Sequence, residues 1–341
     1  MLAGHWLPLG PKSWGLNGVA TGSGMALFFT LSGFLITRLL LRDPNAGRFL
    51  IRRLFRIVPL AWLAMAILAI AGNVGFATAI ANFLFFSNLP PARLMVGGEP
   101  LWSLCVEVQF YLGVALVVAL LGRRGLFVLP VLALAVTAAR IAAEQTYSIV
   151  TWHRVDEILA GVTLALVLRA RPTQSKQWTL LRWVTVALLV ALFASAHSQA
   201  GALAYLRPYF AALAIGSSLL AAPGWMAWLW TSRPARYVAE TSYALYVVHG
   251  MLTVTWLGGL DADKLEKYAR RPLLIAAAFL LAHLSTFYFE RRWMALGKRL
   301  AGSLPRQSSD GGTAIKLVAG LRSKKSGPSG SSVEAGDQGS A

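Results

Sequence analysis

The chain has 341 residues, 56% hydrophobic and 13% charged, with a mean hydropathy of +0.58, which lies outside the range of soluble domains of this size. Its 32 Lys and Arg against 14 Asp and Glu leave a formal charge of +18. These basic residues gather in the connections between apolar runs and in the C-terminal tail, so the excess reports membrane topology and not a nucleic-acid partner. The single cysteine, Cys105, excludes an intrachain disulfide and a thiolate metal site.

The amino end, Met1-Leu2-Ala3-Gly4-His5-Trp6-Leu7, reads as the last turn of a helix whose beginning is absent, and it lacks the basic and apolar regions of a signal peptide. After it, apolar runs long enough to cross a bilayer recur along the chain, at 25 to 41, 57 to 72, 101 to 121, 126 to 143, 154 to 168, 183 to 199, 205 to 222, 238 to 257 and 273 to 290. The predicted fold is therefore all-α: a polytopic transmembrane helix bundle of about nine complete spans plus the remnant of an N-terminal first helix. Ala77 to Asn88 is too short for a span and reads as re-entrant or interfacial.

Between the first two runs, Arg42, Arg48, Arg52, Arg53 and Arg56 face a single Asp43, which puts this connection in the cytoplasm. Counting spans from there brings Arg123 and Arg124, then Arg169, Arg171, Lys176 and Arg182, then Arg233 and Arg236, and finally the basic tail to the same side. One loop resists the rule. Residues 258 to 271 carry Lys264, Lys267, Arg270 and Arg271 on the opposite side, accompanied by Asp261, Asp263 and Glu266.

The third run contains the most informative residue. In Leu101-Trp102-Ser103-Leu104-Cys105-Val106-Glu107-Val108-Gln109-Phe110-Tyr111-Leu112, Glu107 places a carboxylate inside an apolar helix, at a cost of roughly 2.5 to 3.5 kcal/mol on insertion scales. Ser103, Glu107 and Tyr111 are four apart and share one face. The same face serves equally as an interhelical hydrogen-bonding seam. Cys105 reads as a small packing residue. Further on, Arg154 and Asp156 lie near a predicted span boundary where both reach water, and Ser242, Tyr246 and His249 form a polar stripe, either an acceptor pocket or a seam between helices. No His, Cys, Asp or Glu group has metal-ligand spacing, so no metal is expected. From about Gly302 the sequence turns to Ser, Gly, Lys and Arg, which divides the chain into a membrane domain, 1 to 300, and a disordered basic tail, 301 to 341. Its Lys316, Arg322, Lys324 and Lys325 suit anionic lipid headgroups as well as plain solvent.

Several separated stretches, in order, resemble the acyltransferase-3 family of integral membrane O-acyltransferases. They are Phe28-Phe29-Thr30-Leu31-Ser32-Gly33-Phe34-Leu35-Ile36, Arg52-Arg53-Leu54-Phe55-Arg56-Ile57-Val58-Pro59 and Leu101 to Tyr111. Arg154-Val155-Asp156 with Gly161, Ser242-Tyr243-Ala244-Leu245-Tyr246-Val247-Val248-His249, and Glu290-Arg291-Arg292 complete the set. The resemblance implies transfer of an acyl group, by expectation acetyl, from a coenzyme A thioester to a hydroxyl of a carbohydrate or glycosylated small molecule. It implies a multi-pass protein of the inner (plasma) membrane, with the lipid bilayer as a partner and no metal. It also implies that His5, which matches the family's first-helix histidine, is a catalytic base; the Arg that precedes this histidine in the family has no counterpart here.

On that reading His5 and Glu107 are the catalytic pair, with Glu107 orienting the imidazole as a carboxylate does in a triad. Arg48, Arg52, Arg53 and Arg56 would hold the phosphates of the acyl-CoA co-substrate, with positions 52, 53 and 56 on one helix face. Trp102, Ser103, Tyr111, Arg154, Asp156, Tyr246 and His249 would contact substrate, and Gly33 would allow close helix contact. Two other readings fit the same hydropathy: a transporter of an acyl or lipid-linked substrate, against which the lack of internal repeats counts, and a non-catalytic family member.

Overall fold

The computed structural model describes residues 2–170, 181–221, 224–259 and 263–304. Among them the chain forms α-helices α1 (Leu2–Trp6), α2 (Leu16–Arg42), α3 (Ala46–Ala71), α4 (Phe76–Phe83), α5 (Trp102–Leu121), α6 (Leu129–Ala142), α7 (Asp156–Ala170), α8 (Leu181–Ser195), α9 (Arg207–Ala221), α10 (Gly224–Thr231), α11 (Arg233–Thr253), α12 (Lys264–Leu284) and α13 (Arg291–Ser303). A π-helical stretch, Ser285–Glu290, joins the last two. No strand occurs among the described residues.

The sequence explains the punctuation. Pro44 cannot continue α2, and Asn45 starts α3 by accepting the Arg48 backbone N–H at 2.9 Å. At α11 the Ser232 hydroxyl accepts from the Ala235 N–H at 3.3 Å, with Pro234 in the first turn.

The described part of each of the nine predicted runs falls mainly on helix, and five stretches are long and apolar enough to cross a membrane: Lys12–Arg42, Ala46–Ala71, Glu99–Ala142, Gly201–Leu220 and Leu265–Ser303. The protein is thus a multi-pass helical membrane protein. The α8 stretch Val184–Ser195 is apolar but shorter, and α7, at 15 residues, carries Asp156, Glu157 and Arg169. The segment predicted as re-entrant contains α4, whose eight residues rise about 12 Å, under half the hydrocarbon thickness. Leu112, Leu116 and Leu120 form an exposed apolar stripe along α5, and Leu273, Leu280 and Leu284 one along α12, the surfaces that lipid would cover. Other predictions fall on Arg171, Lys176 and the tail beyond Leu304, including Lys316, Arg322, Lys324 and Lys325, all outside the described residues.

Two glycines set the tightest contact. A Cβ on Gly33 of α2 would lie 1.9 Å from the Ile158 carbonyl oxygen, and one on Gly161 of α7 would lie 1.9 Å from that of Thr30. The backbones approach closely enough for the Thr30 hydroxyl to donate to the Glu157 carbonyl at 3.1 Å, the small-residue packing that apolar surroundings favour. This places the start of α7, with its charged residues, against the middle of α2.

One end of the bundle collects the arginine-bearing connections. The Arg123 guanidinium donates to the Arg42 carbonyl at 3.2 Å, and that of Arg48 donates to the Leu304 carbonyl at 2.8 Å. The loops after α2 and α5 and the end of α13 therefore meet there.

Candidate active site

Two cavities lie between the helices. The wider one, about 840 Å³, is lined by His5, Trp102, Tyr147, Arg154, Arg207 and Arg271 among others; the narrower one, about 520 Å³, by Ser32, Arg53, Arg56, Glu107, Tyr246 and His249 among others. Both volumes are in the range of small-molecule sites. Helix α1 stands between them, with His5 turned to the wide cavity and Leu2 and Ala3 to the narrow one.

The two cavities come together at a pair of imidazoles. The His5 and His249 ring centroids are 5.3 Å apart, and Trp6 meets His249 edge-on at 6.1 Å. His249 is fully buried, and its Nδ1 lies 2.5 Å from the Tyr246 carbonyl oxygen. A carbonyl only accepts, so Nδ1 carries the hydrogen and, in the neutral ring, Nε2 is left as an acceptor. Nε2 is buried and has no hydrogen-bond partner. His249 therefore offers the narrow cavity an unprotonated nitrogen, while the exposed His5 lines the wide cavity. Tyr246 and Ser242 also line the narrow cavity. Because the Tyr246 hydroxyl meets Ser103 Oγ at 2.5 Å and the Pro100 carbonyl, the polar stripe of α11 is a seam and a cavity wall at once.

Glu107 is placed differently from expectation. Its Oε1 accepts from the Ser32 hydroxyl at 2.5 Å and from the Tyr111 hydroxyl four residues on, and it lines the narrow cavity, whereas His5 lines the wide one. A triad-like Glu107–His5 hydrogen bond is absent from the described contacts: α2 inserts Ser32 as the carboxylate's partner instead. Ser103, expected on the same polar face, turns to Tyr246 and is fully buried.

The arginine cluster divides. Arg53 and Arg56, three apart on α3, line the narrow cavity, with the Arg53 guanidinium 6.0 Å from the Tyr111 ring centroid. Arg52 is exposed and lines neither cavity. Arg48 is buried and spent on the fold, paired with Asp43 at 3.3 Å and donating to the Leu304 carbonyl. The face expected to hold 52, 53 and 56 thus brings only 53 and 56 to the cavity, since Arg52 points outward, and Arg48 of the same cluster is held at Leu304, just after α13.

Arg154 and Asp156, expected to reach water, are instead 1% and 0% exposed. Asp156 is salt-bridged to Arg140 at 2.5 Å and accepts from Thr137 at 3.4 Å, so it braces α6 against α7. Glu157 holds Arg207 at 2.8 Å and Arg154 at 3.3 Å. Arg154 is enclosed by aromatic faces, 5.2 Å from the Tyr147 centroid and 5.5 Å from that of Trp102. Asp156 lines neither cavity, whereas Trp102 and Arg154 both face the wide one. The sequence reading passed over Arg140, Glu157 and Arg207, although each is an ionisable residue within or beside a predicted apolar run, the signal that singled out Glu107.

Residues 1–291 match the acyltransferase-3 family, described as an acyltransferase domain. The chain belongs to this family. The chain is also similar to Nodulation protein 10 of Rhizobium leguminosarum bv. viciae, 30% identical over 138 residues, which make up 32% of this chain and 37% of that protein. The chain thus spans well under half of that relative's length. No solved structure matches it. Among the described residues no group of three or more His, Cys, Asp or Glu is arranged to hold a metal ion.

Proposed function

We propose that this acyltransferase moves an acyl group, acetyl in the simplest case, from a coenzyme A thioester in the narrow cavity to a hydroxyl of a carbohydrate or glycosylated small molecule in the wide cavity. The carrying observation is that the two cavities meet at His5 and His249, whose ring centroids are 5.3 Å apart.

His5 removes the proton from the acceptor hydroxyl, and the oxygen attacks the thioester carbonyl carbon. The C–O bond forms, the C–S bond breaks, and the imidazolium returns its proton to the leaving thiolate. An imidazole suits both halves because its ordinary pKa is near 6.5. Arg53 and Arg56 in the narrow cavity suit the donor's phosphates through bidentate hydrogen bonds. Phe28, Leu31 and Leu35 of the same lining give the acyl chain and its linker an apolar wall. Glu107, held by two hydroxyls, contributes negative charge beside the donor and does not orient His5.

In this reading the arginine-bearing end faces the cytoplasm of an inner-membrane protein, following the positive-inside rule, and the nine predicted runs all cross. The donor then enters from the cytoplasm and the acceptor from the other side.

The test is mass spectrometry of envelope glycans and secreted glycosides from cells expressing the unaltered chain, His5→Ala, or nothing, at matched membrane levels. A mass increment of one acyl group, present only with the unaltered chain, is expected and identifies acyl group and acceptor. An increment that survives in His5→Ala would overturn the assignment of the base. An increment on lipid or protein in place of glycans would overturn the acceptor class.

A further inference from the structure

The wide cavity carries more positive charge than a neutral sugar requires. Lys12, Arg154, Arg207 and Arg271 line it against one carboxylate, Glu99. Among the described residues, Arg154 and Arg207 of this lining, with Arg140 behind them, pair with Asp156 and Glu157, so three buried guanidiniums face two carboxylates. Arg140 and Asp156 satisfy each other at 2.5 Å. Glu157 commits Oε1 to Arg207 at 2.8 Å, and its Oε2 lies 3.3 Å from Arg154 without forming a hydrogen bond.

Orphaned donors follow from this shortage. None of the three guanidinium nitrogens of Arg154 makes a hydrogen bond, although the residue is only 1% exposed. One nitrogen of Arg207 and one of Arg271 are buried and unpartnered as well. Aromatic rings hold two of these groups by cation–π contact, which uses no donor: the Arg154 guanidinium carbon lies over the Tyr147 and Trp102 rings, and the Arg271 guanidinium carbon lies 3.8 Å from the Tyr268 centroid. A guanidinium held by a ring contact keeps its unpartnered N–H groups for an oxyanion. Buried cations are tolerated when paired, and among the described residues no further carboxylate pairs with Arg154 or Arg207. Arg271 also accounts for the basic loop that resisted the topology rule: part of its charge belongs to the cavity.

We propose that the wide cavity is an oxyanion site and that the acceptor is an acidic glycan, its carboxylate or phosphate held by Arg154, Arg207 and Arg271 so that a neighbouring hydroxyl is presented to His5. This rests on the reading that the acceptor occupies the wide cavity.

Thermal unfolding of the purified full chain in detergent, titrated with glucuronic acid, glucose 6-phosphate, glucose or adenosine 3′,5′-bisphosphate, tests it without relying on transfer. Glucuronic acid or glucose 6-phosphate is expected to raise the unfolding temperature where glucose does not, and the stronger of the two identifies carboxylate or phosphate. Arg271→Gln, outside the buried ion pairs, is expected to weaken that response at least tenfold, with Arg154→Gln doing the same if it folds. An equal response to glucose, no response to either acidic sugar, or a response unchanged in Arg271→Gln overturns the proposal. So does a response to adenosine 3′,5′-bisphosphate alone that Arg271→Gln abolishes, since it would give the cavity to the donor. Loss of the transfer reading would show separately, as anion binding without an acylated product.

Discussion

His5 and His249 touch across the boundary between two cavities, ring centroids 5.3 Å apart, with His5 lining the wide cavity and His249 the narrow one. Their roles differ by what holds them. His249 is fixed by its hydrogen bond to the Tyr246 carbonyl, and its Nε2 is unpartnered; His5 sits on a five-residue helix and is exposed. The first imidazole is a rigid acceptor and the second an accessible base.

Asparagine at position 249 separates the two nitrogens. Its side-chain amide reproduces the Nδ1–H donor to Tyr246 but has nothing at the Nε2 position. His249→Asn is therefore expected to fold with an unaltered unfolding temperature and to lower kcat by less than the roughly 10²-fold or greater loss expected of His5→Ala, since His5 is the base that carries the proton. Wild-type turnover in His249→Asn would reduce this histidine to a packing role.

Glu107 makes an opposite kind of prediction. Gln keeps an oxygen to accept from Ser32 and Tyr111, so Glu107→Gln is expected to stay folded, whereas Glu107→Leu strands both hydroxyls at a cost of about 1–3 kcal/mol each. Since the carboxylate lies in the narrow cavity and is not bonded to His5, Glu107→Gln should change the donor KM and leave the histidine limb of the kcat pH profile in place. A displaced limb would restore the triad-like role that the geometry argues against.

These contrasts show where the sequence was legible. Glu107 and His249 stand out because an ionisable group in an apolar run is costly, and Gly33 because α-helices pack closely only over small residues. Partner choice was not legible. Ser32 lies 75 residues before Glu107, and nothing local to either marks the pairing. Nor does periodicity alone tell Arg48 from Arg53: both belong to one helix, and only the docking of α13 decides which is buried. Arg140, Glu157 and Arg207 were legible by the Glu107 rule but were passed over, and placing Arg154 and Asp156 at a boundary in reach of water hid the ion-pair cluster.

The division of the arginines is measurable. Arg53→Gln and Arg56→Gln each remove a charged donor from the narrow cavity, and at about 1.5–3 kcal/mol per charge-assisted hydrogen bond the acyl-donor KM should rise roughly 10- to 150-fold. Arg52→Gln should leave KM within twofold. Arg48→Gln should lower the unfolding temperature with KM unchanged, because it breaks the Asp43 pair and the Leu304 bond. A uniform rise in KM across all four would mean that they act as a general surface field.

The contact between α2 and α7 carries the last prediction, because it holds both cavities in register. Arg154 and Glu157 sit at the head of α7, and Ser32 sits on α2 beside Gly33. A methyl on Gly161 would lie 1.9 Å from the Thr30 carbonyl oxygen and 2.9 Å from the Phe34 nitrogen, where backbone cannot yield as a side chain would, so the helices must separate. Overpacking of this kind costs about 1–3 kcal/mol or more. Gly161→Ala is therefore expected to lower the yield of monodisperse protein in detergent and to weaken acyl transfer in whatever folds. Gly113→Ala on α5 meets nothing within 4 Å and should be tolerated, since alanine is the better helix former. Equal yields for the two variants would show that the close approach of α2 and α7 is not what sets the distance between Ser32, Glu107 and the wide cavity.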